Sequence, residues 1–151
     1  MWKQFLRRSP DYWDEYLSSR PDFSPFLFHG WSDVIADSYG HQPYFLAVDR
    51  DQSAGTRYSA VLPLIHFNNP EGANRLVSLP YLDHQSAAQL LNAALALARD
   101  LNAVHVELRQ DDCYPLKIEA TESQDWQRQT FDFKVGLSRF IPKNAETLWQ
   151  D

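Results

Sequence analysis

The chain has 151 residues, 44% hydrophobic and 14% aromatic, which fits one domain with a real core and excludes disorder over most of its length. Asp and Glu (20) outnumber Lys and Arg (14) for a formal net charge of −6, and the basic residues are scattered; this excludes a broad nucleic-acid surface but leaves room for a small phosphate site. The single Cys113 excludes an intrachain disulfide, no apolar run approaches the roughly 18 residues of a membrane span, and the start MWKQFLRRSPDYW lacks the apolar core of a secretory leader, so a cytoplasmic location is expected.

Residues 11–19 read as a short helix, with Tyr12, Trp13, Tyr16 and Leu17 on neighbouring turns, Pro10 suited to its start and Pro21 to its stop. Residues 21–25 form a linker-like turn. A second helix begins near Gly30. Trp31, Val34, Ile35 and Tyr39 fall at i, i+3, i+4 and i+8, which predicts one core-facing apolar stripe containing Trp31. Gly40 suits a left-handed stop. Trp2 and Trp13 lie outside the clearest periodicity and are expected at an interface.

Alternation predicts strands over 43–48 and 58–67, joined by a polar hairpin loop containing Gly55. Pro63 cannot donate to a ladder and predicts a sheet edge or a bulge. A turn over 68–74 leads to a third strand at 75–79. Ser86 and Gln89 match a capping box ahead of the stripe Ala87, Leu90, Leu91, Ala94, Leu97, Ala98 and Leu101, a helix ending at Asn102. Residues 103–109 read as a buried strand, with Val104, Val106 and Leu108 alternating against His105, Glu107 and Arg109. Residues 110–126 read as a loop or short helix, 127–137 as a strand, and 144–151 as the start of a helix.

Ser78, Tyr81, Glu107 and Arg109 fall at or near the carboxyl ends of strands expected to be neighbours, where open α/β sheets gather ligands. Arg109 has the planar fork that suits a phosphate or carboxylate, and Glu107 can orient it or accept a proton. Two apart on one strand, Glu107 and Arg109 also fit an ordinary ion pair on a solvent face. The five histidines show no metal-ligand spacing, and no Gly-x-Ser-x-Gly elbow is present. Asp111 and Asp112 beside Cys113 disfavour a nucleophilic thiolate. No metal is expected and no catalytic residue stands out.

The order helix, strand, strand, strand, helix, strand from His29 to Arg109 resembles the centre of the GNAT-type acyltransferase fold. GHQPYF at 40–45 and SLPY at 78–81 further resemble the N-terminal half of the FemAB-like aminoacyl and peptidyl transferases, which are built from two GNAT-like domains. The resemblance implies an α/β (α+β) fold, a mixed sheet flanked by helices in a single domain over 1–151. Residues 1–28 would be an N-terminal helix and linker, 29–137 the core, and 138–151 a tail leading toward a missing second domain.

FemAB-like proteins transfer amino acids from aminoacyl-tRNA onto cell-wall precursors, with relatives in exopolysaccharide and protein-sorting contexts. Their reaction is attack of an acceptor amine on an activated acyl carbonyl, which needs positioning and oxyanion stabilisation. The site lies between the two domains, and the N-terminal one supplies acceptor contacts. The resemblance thus implies an acceptor-recognising half that takes a small anionic acceptor substrate. Its implied partner is a second GNAT-like domain, or another copy through a tail carrying Phe140, Ile141, Leu148 and Trp149.

The turn at 80–86, PYLDHQS, departs from both patterns. It has no glycine where the FemAB-like pattern has a Gly-Gly pair, and Asp83 precedes a helix start where a CoA pyrophosphate would sit. No CoA or other cofactor is therefore expected. The alternatives are a non-catalytic interaction module on a GNAT-like scaffold, and a self-contained CoA-dependent N-acyltransferase, which this turn opposes.

Overall fold

The computed structural model describes residues 2–5, 10–20, 24–49, 58–69, 73–79, 87–109, 126–127 and 129–131. The chain divides into two compact units, Met1–Ala120 and Thr121–Asp151. The first holds a mixed α/β fold in the order β1 (Trp2–Phe5), α1 (Pro10–Ser18), a 3₁₀ turn (Pro25–Leu27), α2 (His29–Tyr39), β2 (Gln42–Asp49), β3 (Tyr58–Phe67), β4 (Arg75–Ser78), α3 (Ala87–Asp100) and β5 (His105–Glu107). The strands form one sheet in chain order, antiparallel from β1 to β4, with β5 parallel to β4. From α2 to β5 the elements follow the order expected from the sequence.

Register assigns the two faces. Phe45, Ala47, Val61 and Ile65 pack with Trp13, Tyr16, Leu17 and Leu27, so α1 and the 3₁₀ turn cover that face. Leu46, Leu62, Leu64 and Leu76 alternate onto the other face, which α3 covers with its buried stripe Leu90, Ala93, Ala94, Leu97 and Ala98. Each helix stop has a local cause. Gly40 has φ 69° and its N–H bonds the Ala36 carbonyl. Asn102 is left-handed at φ 53°, and the Asn102→Arg99 and Ala103→Ala98 amide bonds close a Schellman turn.

A Cβ at Gly40 would meet nothing within 4 Å, so the cost of a side chain there is purely conformational. Gly40→Ala is expected to lower stability by about 1 kcal/mol, measured by urea unfolding. An unchanged midpoint would contradict the left-handed stop.

The strand β1 was not legible in the sequence. It is four residues long and is defined by pairing with β2, Trp2 opposite Val48 and Phe5 opposite Phe45. Pro63 lies neither on an edge strand nor at the one irregularity of the β2–β3 pair, which falls between Val48 and Asp49. Its carbonyl accepts the Leu79 N–H, so the side of Pro63 that lacks a donor faces the point where β4 has already ended. The bond that Pro63 cannot return to Leu79 thus falls just past the last residue of β4.

The largest correction concerns α2. Its buried residues are His29 and Ser32, with Ile35 partly buried, while Trp31 is 41%, Val34 52% and Tyr39 72% exposed. At about 100° per residue the expected stripe lies roughly a quarter turn from the face that packs. Three contacts fix that rotation. The His29 N–H donates to the Asp14 carboxylate at 3.0 Å, the His29 ring stacks on Phe45 at 4.5 Å, and Trp31 instead meets Phe26 edge-on at 4.9 Å.

Trp13 is likewise not an interface residue. It is 3% exposed, donates Nε1–H to the Leu27 carbonyl at 2.8 Å and meets Phe45 edge-on. The expected buried strand over 103–109 is shorter than predicted, and Val104 is exposed. Of the strand expected over 127–137, positions 127 and 129–131 are not in a strand and the rest lie outside the described residues. The tail at 138–151 and the turn at 80–86 also lie outside them.

Candidate functional site

Because β4 and β5 run parallel as neighbours, their carboxyl ends meet, and three of the four candidate residues come with them. Ser78, the last residue of β4, is buried. Its Oγ accepts the Arg109 main-chain N–H at 2.8 Å. Arg109 lies two residues past β5, and its Nε donates to Glu107 Oε1 at 2.7 Å, with the arginine side chain 44% and the glutamate 33% exposed. Tyr81 lies outside the described residues.

These residues do not converge as one pocket of side chains. Register puts Ser78 with Leu76 on the face that α3 covers, and Glu107 with Val77 on the opposite face. Ser78 touches Arg109 through the backbone amide, so the hydroxyl fixes where the main chain leaves β5. Glu107 holds one edge of the guanidinium. The two terminal nitrogens of Arg109 have no hydrogen-bond partner among the described residues. A planar donor pair at a strand end can take a carboxylate or phosphate side-on. The ordinary ion-pair reading and the ligand reading thus describe the same two side chains. In the first the pair is complete; in the second its outer edge is used.

On β3, opposite Leu76 of β4, His66 meets the Tyr44 ring edge-on, and its Nε2 is buried without a partner among the described residues. Burial pushes its imidazole below the ordinary value of 6.5, and the charge of His41 pushes the same way. In the unfolded chain His66 therefore binds a proton first as pH falls. Stability is expected to be full above about pH 6.5 and to be lost as pH drops from there to the folded-state value. Melting curves between about pH 8 and pH 5 should fall more steeply for the natural chain than for His66→Gln. Parallel curves would contradict it.

Among the described residues no group of three or more His, Cys, Asp or Glu is placed to hold a metal ion, and no helix is long and apolar enough to cross a membrane.

No protein-family model matches the chain, and no curated protein does. Among solved structures the chain is similar to the crystal structure of a probable acetyltransferase, at 13% identity, over 90% of this chain and 99% of that one, with a TM-score of 0.48. So distant a likeness carries no argument about activity.

Proposed function

We propose that this domain is the acceptor-recognising half of a FemAB-like acyl or aminoacyl transferase, and that Arg109 holds the anionic group of the acceptor. The observation that carries the reading is how firmly this one guanidinium is placed. Its main chain is fixed by Ser78 at 2.8 Å and its Nε by Glu107 at 2.7 Å, while its outer donors are unpaired among the described residues. Preorganised donors lose less freedom on binding, which is what an acceptor-positioning site requires. The order of elements from α2 to β5 and the GHQPYF and SLPY segments support the family assignment. In such an enzyme the chemistry is attack of an acceptor amine on an acyl carbonyl. This half would set the acceptor's position and the second GNAT-like domain would bring the acyl donor.

The reading is tested by calorimetric titration of the purified chain with a nucleotide-linked cell-wall peptide precursor and with inorganic pyrophosphate. Saturable binding of the precursor is expected, with pyrophosphate weaker at the same site. No saturable heat from either would contradict an acceptor site. Acetyl-CoA should give no saturable heat at about millimolar concentration, since a ligand that weak is worth only about −4 kcal/mol. Micromolar binding of acetyl-CoA would favour the self-contained acyltransferase instead.

A further inference from the structure

We infer that the row Tyr39, His41, Phe67 and Arg75 is a binding site for a small aromatic carboxylate. Arg75 takes the acid group and the exposed rings take the aromatic face. The site is independent of the acceptor proposal: Arg75 opens β4 and pairs with His105, the first residue of β5, whereas Arg109 lies beyond the other end of β5. Register builds the row. Gln42 pairs with His66, so His41, one residue earlier, stands level with Phe67, and Phe67 pairs with Arg75. Level side chains share a face of the sheet, here the face whose core Phe67 joins. Tyr39 extends the row beyond the sheet. It ends α2, and the left-handed turn at Gly40 sets its ring near-parallel to His41, with 18° between the planes and 6.4 Å between centroids. His41 meets Phe67 at 4.3 Å, and the Arg75 guanidinium carbon sits over the Phe67 ring at 4.8 Å.

The chemistry of the row indicates the ligand. Arg20 donates to the Tyr16 hydroxyl and Arg109 to Glu107, but Arg75 has neither a hydrogen bond nor an ion pair among the described residues. Its contact there is the Phe67 ring, which uses none of the guanidinium N–H donors. Phe67 packs against the core, so the arginine has lost part of its freedom before a ligand arrives. A planar fork placed in this way takes a carboxylate with two parallel bonds. Tyr39 is 72% exposed, and an aromatic ring laid against it removes apolar surface from water and adds the attraction of offset stacking. The contacts of 4.3 Å and 4.8 Å leave the His41 ring and the guanidinium carbon no more than about 9 Å apart, so one small molecule reaches both.

Other ligands fit less well. The row holds a single permanent cation, Arg75, and no carboxylate, so it balances one negative charge, whereas pyrophosphate brings several. A sugar acid calls for hydroxyl partners, yet the nearby amides are turned to the main chain: Asn74 Oδ1 accepts the Asn69 N–H, and Gln42 donates to the Pro43 carbonyl. An acid without a ring leaves Tyr39 and His41 unused and competes with water for Arg75 alone, an exchange worth little at an exposed site. In a chain of net charge −6 a bare anion is also repelled, and contact with the rings has to supply the rest.

The test uses the full chain, labelled with ¹⁵N, and three probes. Phenylpropionate has both ring and acid, propionate lacks the ring, and phenylpropionamide lacks the charge. Phenylpropionate is expected to shift the Arg75 Nε–H and the amides of His41, Phe67 and Arg75 saturably at about millimolar concentration, with the other two probes at least about tenfold weaker. Arg75→Gln should weaken phenylpropionate about tenfold, and Arg75→Lys should restore only part of the loss. Tyr39→Ala should weaken it about two- to tenfold, the worth of one stacked ring. Pyrophosphate, the probe of Arg109, should not displace it. Arg75 and Tyr39 are both exposed, so these changes leave the core untouched and the folded spectrum confirms it. Propionate or the amide binding as tightly as phenylpropionate, unchanged affinity in Arg75→Gln, displacement by pyrophosphate, or no saturable shift would each overturn the inference.

Discussion

Replacing Trp13 with alanine should destabilise the domain by about 3–5 kcal/mol, the range for deleting a large buried aromatic. The indole is enclosed between Phe45, Leu27 and its own helix, and its removal also leaves the Leu27 carbonyl without the Nε1–H donor. Against a total stability of about 5–15 kcal/mol that loss is severe, and it should appear as a collapse of the thermal and urea midpoints. Trp31→Ala is the contrast. Trp31 is half-exposed and its one ring contact among the described residues is Phe26, so about 1 kcal/mol or less is expected. Equal effects, or a larger one at Trp31, would show that α2 packs on the face its apolar spacing predicts.

Leu62→Ala should cost about 2–5 kcal/mol, toward the upper part of that range. Leu62 lies in the inner strand β3 opposite Leu46, on the face that α3 covers, and both are buried. The inward stripe of α3 contains Ala93, Ala94 and Ala98, so the helix already sits close to the sheet and the leucines of the sheet fill the layer between them. A truncated leucine there leaves a void that neither a rigid central strand nor a close-packed helix can fill. Urea unfolding of Leu62→Ala beside Leu62→Met separates the two terms, because the methionine keeps the volume and should cost less than about 1.5 kcal/mol. Equal losses would mean that the layer responds to shape and not to volume.

Local chemistry was what the sequence displayed well. The bounds of β3, the left-handed stop at Gly40 and the small-residue stripe of α3 each follow from a few adjacent residues. The failures share a different cause. The rotation of α2 depends on Asp14 and Phe45, which lie 15 and 16 positions from His29, and an apolar count along the helix contains neither. The burial of Trp13 likewise rests on distant residues, Leu27 and Phe45, which no pattern along α1 contains. Strand β1 exists through Val48 and Phe45, and the tolerance of Pro63 depends on where β4 stops.

The candidate site divides in the same way. The i, i+2 spacing of Glu107 and Arg109 announces their ion pair, whereas the Ser78 bond to the Arg109 amide spans 31 positions and joins a main chain that no motif marks.

The acceptor-site proposal makes Glu107 and Arg109 act with opposite signs on one ligand, and a pyrophosphate titration of three variants measures this directly. Arg109→Ala should weaken binding at least about tenfold, and Arg109→Lys should recover only part of it, because the point charge returns without the planar fork. Glu107→Gln should tighten binding severalfold, because the amide oxygen still offers Nε an acceptor where the carboxylate did at 2.7 Å while the charge that competes for the guanidinium is gone. Pyrophosphate binding that is lost with Arg109→Ala and raised with Glu107→Gln is the predicted result. Binding that is equal across the natural chain and all three variants would place the anion elsewhere and leave Glu107 and Arg109 a surface ion pair.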